Sequence, residues 1–539
     1  VTVNQRTAPA VGNTGKSTAE FSEVARSPSD SDLQSPWHKL TVPALPLVLA
    51  LSGVFLYLQL FIAPAIPRVA IGDQSIYLHS AVRMYEGQTI YRDYDQFTFA
   101  GTDVLYFVLF ELFGVKAWIP QMMLVLAGVL SVWLSIFIAS KILRGTAVYL
   151  PPLLFLMLPY SSYPDATHHL YSTLAATLAL AVVIEKRTPM RVACGGLFWG
   201  IATCFAQSLI LGPLCLAVFL IWEHRRNAQT WSRLFKAQAW LWAFYGATVF
   251  AFNGYFVWKT GLRKFAYYTG FFVLKYVPTY KIGGWSTYLR GWPSSHKIAN
   301  WPDLLAWPLI HGLVPLIYAV FLLVYWGRIR RERSESWSRL VLINVTGISL
   351  FLTIASAPAW NRLYTISMPA LLMLVWFASS HASLGRFVRR SLWRILLVLA
   401  IVRPIVTQIR WRAVLDLPTG RTAFLDRGLY EETKWLQHRT RPGDYFFGNQ
   451  LLCFDLRLRN PSRVAYVTPF AFTTTDEVTD LMRSLDAHQV RFVSWYVGLD
   501  DPSAIEGNNL GPLRRYLAEH YHVVQRFSNG HSFLERNIV

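Results

Sequence analysis

Long apolar runs, broken by short basic segments, fill the sequence between Val42 and Ile409. A bilayer core needs about 20 apolar residues per crossing helix. Val42 to Ala63 and Ala117 to Ser140 meet that requirement without one charged side chain. The pattern predicts eleven spans, at about 42–63, 117–140, 145–160, 168–184, 192–206, 208–222, 237–258, 304–326, 339–356, 363–380 and 393–409. It excludes a soluble fold. Ahead of the spans, residues 1–41 are polar and rich in Ser, Thr and Pro, with no apolar stretch of signal-peptide type. They read as a disordered cytoplasmic tail, with Val42 to Ala63 as an uncleaved first anchor.

Charge orients the spans. Alternate loops are basic: Lys141 and Arg144; Lys186, Arg187 and Arg191; Arg225, Arg226, Arg233 and Lys236; Arg328, Arg330, Arg331, Arg333 and Arg339; Arg386, Arg389, Arg390 and Arg394. Basic loops mark the cytoplasmic side, so the N-terminus is expected inside and the C-terminus outside. Composition agrees: 53% of the 539 residues are hydrophobic and only 15% are charged, where a soluble domain carries about 25% charged residues. The net charge of +20 is accounted for by these loops, and no nucleic-acid partner is expected. Cys194, Cys204, Cys215 and Cys453 show neither a disulfide framework nor metal-ligand spacing.

The outer face then holds loop 65–116, loop 259–303 and everything from Arg410 onward. Residues 410–539 read as a small extracytoplasmic α/β domain. Thr474-Thr475-Asp476-Glu477 is a capping box. Val478, Leu481, Met482 and Leu485 follow it as one apolar helical face. Arg491 to Val497 reads as a buried strand, Leu513 to Tyr521 as a helix, and His522 to Phe527 and Ser532 to Arg536 as closing strands. No catalytic motif is visible there, and a structural or acceptor-docking role is the better reading.

Two motifs are rejected. Gly12-Asn13-Thr14-Gly15-Lys16-Ser17-Thr18 resembles a phosphate-binding loop, but Ala10 stands where its first Gly belongs, and no strand precedes it. Asn344-Val345-Thr346 matches a glycosylation acceptor but falls within a span.

Chemistry is confined to the outer loops. The first opens with Ile71-Gly72-Asp73-Gln74, followed by an expected amphipathic helix with Ile76, Tyr77, Ser80, Ala81 and Met84 on its membrane face, and by a second helix from Val104 to Phe113. Asp73, just outside the membrane, has the position of a general base. It equally has the position of a helix N-cap, which is the stronger reading by position alone. In the next outer loop Asp165 and His169 stand four apart, on one face if the segment is helical. They suit a sugar, a phosphate or a metal, although two ligands fall short of the usual four of a closed zinc site. Loop 259–303 breaks the charge rule with Lys259, Arg263, Lys264, Lys275, Lys281, Arg290 and Lys297 against Asp303, interleaved with aromatics. That composition suits an anionic lipid headgroup. Arg362 is the sole charge of the outer turn 356–364, and is placed either to snorkel or to clamp a phosphate.

These pieces resemble the membrane glycosyltransferases of the GT-C type, in particular the bacterial branch of the protein O-mannosyltransferase and aminoarabinose transferase family. The resemblance covers roughly Val42 to Arg410. It rests on Gly72-Asp73-Gln74, the Gly87 to Tyr94 turn, Phe99 to Tyr106 with Leu112-Phe113-Gly114, Asp165, and Gly195 to Gln207. It implies a polytopic α-helical fold in the bacterial cytoplasmic membrane and an inverting transfer on its outer face. The donor would be a polyprenyl-phosphate sugar and the acceptor a glycan, lipid or protein. Asp73 would be the base, Asp165 the second acidic residue, and Lys275 and Arg362 the groups that hold the donor phosphate. The family often has a second acid after the first, where this chain has Gln74, and a Pro where it has Ala100. The first departure makes transfer without a metal or cofactor the expectation, with a divalent cation left open. The rival readings are a lipid or sugar flippase and a non-catalytic scaffold. The scarcity of charges within the spans disfavours the first of them.

Overall fold

The computed structural model describes residues 44–70, 72–227, 230–276, 310, 312–354, 360–380, 382–468, 473–500 and 508–537. The expected tail 1–41, the rejected phosphate-loop look-alike and the basic, aromatic stretch 277–303 lie outside the described residues.

Helices fall on every apolar run. They are α1 (Ala44–Leu60), α2 (Gln74–Tyr85), α3 (Gly101–Phe113), α4 (Trp118–Ala139), α5 (Leu150–Phe155), α6 (His168–Val183), α7 (Pro189–Phe205), α8 (Leu211–Arg226) and α9 (Trp231–Thr260). There follow α10 (Leu262–Ala266), α11 (Val273–Tyr276), α12 (Leu313–Arg331), α13 (Glu335–Thr353), α14 (Trp360–Ile366), α15 (Met368–Ser380) and α16 (Ala382–Ile409). Among the described residues five helices are long and apolar enough to cross a membrane, at Trp118–Ala139, Gln207–Arg226, Leu313–Arg331, Glu335–Thr353 and Gly385–Ile409. Four apolar helices are shorter: Ala44–Leu60, Gly145–Tyr160, His168–Val183 and Met368–Ser380. The expected break between the fifth and sixth runs is present. Ala206 turns extended at φ −144°, ψ 111°, and a 3-10 turn over Gln207–Ile210 leads into α8. A further break at Ser367 divides the tenth run. Pro369 has no N–H to return to the turn before it, which interrupts the helix there.

The basic loops assigned to one side meet one another. Arg187 reaches Glu223 at 2.5 Å and Glu335 at 2.6 Å, and Lys141 and Arg191 share Glu185 at 3.2 and 2.8 Å. The Arg187–Glu223 pair is nearly buried, so each charge needs the other. This cluster ties the ends of α6, α8 and α13 together.

The first outer segment differs from a surface amphipathic helix. Tyr77, Ser80 and Ala81, expected on the membrane face, are buried within the protein, and so are Gln74, Leu78, His79, Val82 and Arg83, while Ile76 and Met84 are only half-buried. The reason is a partner on each side. α2 packs on α3 and also on α18 (Gln450–Asp455) from the chain's far end. Arg83 donates to the Ser462 carbonyl at 3.0 Å.

After α16 the chain forms a hairpin of β3 (Ala413–Leu417) and β4 (Gly420–Phe424), then α17 (Arg427–Gln437), a short strand β5 (Phe446–Phe447) and α18. β1 (Phe61–Ile62) and β2 (Ile66–Pro67) pair with each other just after α1. α19 (Thr475–Ala487), β6 (Phe492–Tyr496), α20 (Gly511–His520), β7 (Tyr521–Arg526) and β8 (His531–Arg536) complete the C-terminal part. Its sheet runs β5-β6-β8-β7, parallel only between β5 and β6. The capping box forms as expected: Glu477 N–H donates to Thr474 Oγ1, and Thr474 N–H to Glu477 Oε2 at 2.6 Å. This part shares its core with the helices. Phe454 stacks on Phe110 of α3 at 6.0 Å, the Val69 N–H donates to the Ala423 carbonyl at 2.9 Å, and the Ala117 N–H to Thr419 at 3.0 Å.

Asp455, at the end of α18, is fully buried with Oδ2 lacking a hydrogen-bond partner, and burial pushes its pKa up to about 8. An unfolded Asp ionises near pH ~4. The folded form therefore binds the extra proton between these limits. Stability is complete below the unfolded value and is lost as pH rises toward the folded one. Asp455→Asn should raise the thermal midpoint of the detergent-solubilised protein at pH 8, with the gain fading toward pH 4; a gain equal at both pH values would contradict this account.

Candidate active site

Three segments meet at the start of α2. Gly72 adopts φ +63°, a conformation that L side chains rarely take, and it lies against the loop before α6. A Cβ at Gly72 would sit 2.7 Å from Tyr163 Oη and 3.1 Å from Asp165 Oδ2. Only a glycine lets the backbone approach this closely, and the approach turns the first amides of α2 toward Asp165. The backbone N–H groups of Asp73 and Gln74 face the Asp165 carboxylate. A helix start offers unpaired N–H groups and a partial positive charge, and here the acid that meets them comes from another loop.

Asp73 occupies the N-cap position with αR angles of −67° and −12°, and its side chain makes no capping hydrogen bond. The capping reading, the stronger one by position, is therefore not what the structure adopts. The Asp73 side chain is exposed. Asp165 is buried, and burial, followed by the nearby Asp73 charge, raises its carboxyl well above the usual range. Its Oδ1 is buried without a hydrogen-bond partner.

The expectation of a shared helical face for Asp165 and His169 is corrected. α6 begins only at His168, after an extended Thr167, and Asp165 lies in the irregular segment before it. Pro164 keeps the preceding residue out of the helical region, and hydrogen bonds from Asp165 N–H to Tyr163 O and from Thr167 N–H to Asp165 O (2.9 and 3.0 Å) hold local turns instead. His169 opens the first turn of α6 with its ring 3.9 Å from that of His168, and its Nε2 is buried without a partner. His168 Nδ1 bonds Tyr77 Oη of α2 at 2.5 Å.

Arg362 stands half-buried on α14, close enough for its charge to be felt by both His168 and His169. A small cleft of about 240 Å³ separates the Asp165 loop from α14, lined by Tyr163, Asp165, Tyr364 and Thr365. Asp73 thus neighbours Asp165, and Arg362 neighbours His168 and His169. Lys275 is exposed on α11. Among the described residues no group of three or more His, Cys, Asp or Glu side chains is placed to hold a metal ion.

Several contributors were not singled out in the sequence. Arg403 is buried in α16 and donates to Ser161 Oγ and Ser162 Oγ, both at 2.7 Å, anchoring the loop that carries Asp165. It had a signal: it is the only charge between Ile395 and Ile409, and an ionisable group inside an apolar run marks a functional interior. Tyr106 had none. Its hydroxyl donates to the Ala166 carbonyl at 2.8 Å and accepts from Gln74 Nε2 at 3.2 Å, so Gln74, standing where the family often has an acid, is a buried strut between loops.

No family model matches the sequence, and no curated protein is similar to it by sequence. Solved structures are similar in fold. ArnT from Cupriavidus metallidurans bound to undecaprenyl phosphate superposes with a TM-score of 0.54 at 12% identity, over 92% of this chain and 97% of that one. Its apo state gives 0.54 at 13%, over 92% and 98%. The archaeal oligosaccharyltransferase AglB from Archaeoglobus fulgidus, in complex with an inhibitory peptide and a dolichol-phosphate, gives 0.51 at 10%, over 93% and 75%. Both are GT-C glycosyltransferases, and the chain has their fold, that of a multi-pass helical membrane protein.

Gly72→Ala adds both a strained φ and a clash with Tyr163. It should cost about 1–3 kcal/mol of stability, read by thermal unfolding of the full chain in detergent, and Tyr163→Phe beside it should restore part of the loss. An unchanged midpoint for Gly72→Ala would contradict the close approach.

Proposed function

We propose that this protein is an inverting glycosyltransferase that moves a sugar from a polyprenyl-phosphate donor to an acceptor hydroxyl at the outer face of the cytoplasmic membrane. All eleven apolar runs are read as spans, with the N-terminus inside and the C-terminal α/β part outside. The observation that carries the reading is the release of Asp73 from capping, next to Asp165, with Arg362 near His169. The fold supports it, because two neighbours with this fold are transferases whose structures hold undecaprenyl phosphate or a dolichol-phosphate.

In this scheme Asp73 takes the proton of the acceptor hydroxyl as that oxygen bonds to the anomeric carbon. The bond from that carbon to the phosphate oxygen breaks in the same displacement, and the configuration inverts. The lipid phosphate leaves with the electron pair, and Arg362 stabilises its charge. Asp165 keeps α2 seated so that the Asp73 carboxylate stays available, and its protonated form offers a hydrogen-bond donor at Oδ1. His169 faces the departing phosphate beside Arg362, and Lys275 attracts the anionic headgroup on approach. The scheme assigns no step to a metal.

The test is incubation of the purified full chain with a panel of undecaprenyl-phosphate monosaccharides and cell-envelope extract, measuring released undecaprenyl phosphate. Asp73→Asn should lower release about 10²–10⁴-fold while leaving the thermal midpoint in place. Full activity in that variant would remove Asp73 as the base. Passage of intact donor across liposomes without bond cleavage would replace transfer by transport.

A further inference from the structure

In the topology proposed above, the outer ends of α1 and α16 meet at a cluster of positive charge that no acid among the described residues answers. Gln408, one residue before the end of α16, donates through Nε2 to the Leu58 and Phe61 carbonyls, both at 2.9 Å, and ties the two helix ends together. Arg68 follows β2 at this junction. Its backbone N–H donates to the Leu60 carbonyl at 3.0 Å, and its Nη1 to the Gln59 carbonyl at 2.6 Å. Arg410 and Arg412 come just after α16, with exposed side chains.

A guanidinium carries five N–H donors and keeps its charge in proteins. Arg68 is half-buried, and the Gln59 carbonyl takes only one of its donors. Burial, followed by the Arg410 charge, lowers Arg68 to about 10, and no carboxylate among the described residues offsets either effect. The nearest acid in sequence to Arg410 and Arg412 is Asp416, which faces Arg421 at 3.7 Å. Arg412 donates to the Gln408 carbonyl, again not an acid. Three arginines on the outer side also run against the charge rule that orients the spans. Water satisfies the exposed pair, but a half-buried cation beside another cation is stabilised by an anion.

The surroundings say which anion. Each helix presents an exposed apolar stripe, Leu47, Leu51 and Val54 on α1 and Ile401, Ile405 and Ile409 on α16. On helices that cross a bilayer, acyl chains are the solvent of such side chains. Trp411, also exposed, stands between the two arginines and is a residue type of the membrane–water interface. A phosphate with two acyl chains beneath it meets all three features. A free phosphate ion meets the arginines alone.

We propose that Arg68, Arg410 and Arg412 bind the phosphate of an anionic bilayer phospholipid whose acyl chains lie along α1 and α16. The bound headgroup joins the segment that leads into Asp73 to the end of α16. The site needs the two spans but not the transferase reading. The test is photolabelling of the full chain in phosphatidylcholine nanodiscs that carry a small share of phosphatidylglycerol with a diazirine beside its phosphate, with labelled peptides mapped by mass spectrometry. Label should fall on residues 57–70 and 405–412, and the same diazirine on phosphatidylcholine should label them about fivefold less or weaker still. Arg410→Gln/Arg412→Gln, past the end of α16, should lower the phosphatidylglycerol label there about fivefold or more and leave label on the basic loops of the other face unchanged. Arg68→Gln should act in the same direction, and the exposed pair keeps the test intact where that variant unfolds. Equal label from the two lipids, or label unchanged in the Arg410/Arg412 variant, would overturn the site. Undecaprenyl phosphate that removes the label at lower amounts than unlabelled phosphatidylglycerol would overturn it by assigning the arginines to a polyprenyl phosphate, and removal by inorganic phosphate would assign them to a free anion. Labelling of this junction in a protein that transfers no sugar counts against the transferase reading alone, and transfer without labelling counts against the lipid site alone.

Discussion

The site depends on one electrostatic contact: the Asp165 carboxylate set against the first amides of α2. A helix start must satisfy its N–H groups, and the nearest acid ordinarily does so. Here the nearest acid is Asp73, and it is relieved of that duty by an acid from another loop. Gly72 makes the contact possible by its positive φ and missing Cβ. Arg403 makes it durable by holding the hydroxyls of Ser161 and Ser162 just before the loop. An exposed acid on a fixed backbone beside a buried one whose pKa burial pushes up is the division of labour that acid–base chemistry uses elsewhere.

The enclosure of α2 follows the same logic. A surface helix would let the Asp73 position drift. This one is clamped between α3 and α18, with His79 beside Gln450, and Arg83 bound to the Ser462 carbonyl. The C-terminal part therefore does more than sit outside the bundle. Its hydrophobic core is continuous with that of the helices through Phe110 and Phe454, and its Tyr466 and Glu477 close a cleft beside Ser80.

The helical frame was legible because apolar length and charge spacing are local properties. The runs from Val42 to Ile409, the break at Ala206 and the Thr474 capping box can all be read in a short window. Asp73, Asp165, His169 and Arg362 could be named from their positions between runs. What joins them was not legible, because each contact spans a long sequence separation. The seating of Asp165 on α2, the Tyr106 bridge to Ala166 and the grip of Arg403 on Ser161 are properties of the packed helices. The helical pairing of Asp165 with His169 failed for a local reason, the extended Thr167 that starts α6 only at His168, and the one-faced reading of α2 failed because its second partner lies more than three hundred residues away, in the α18 segment.

The central claim is that these residues form one site in which a lipid phosphate lies beside a free carboxylate. The direct measurement is a cryo-electron microscopy structure of the full chain in nanodiscs with undecaprenyl phosphate. The account predicts phosphate density bonded to Arg362 and facing His169, with the Asp73 side chain open to the acceptor side and Asp165 still seated on α2. Phosphate bound away from Arg362, or Asp73 turned back to cap its own helix, would contradict it.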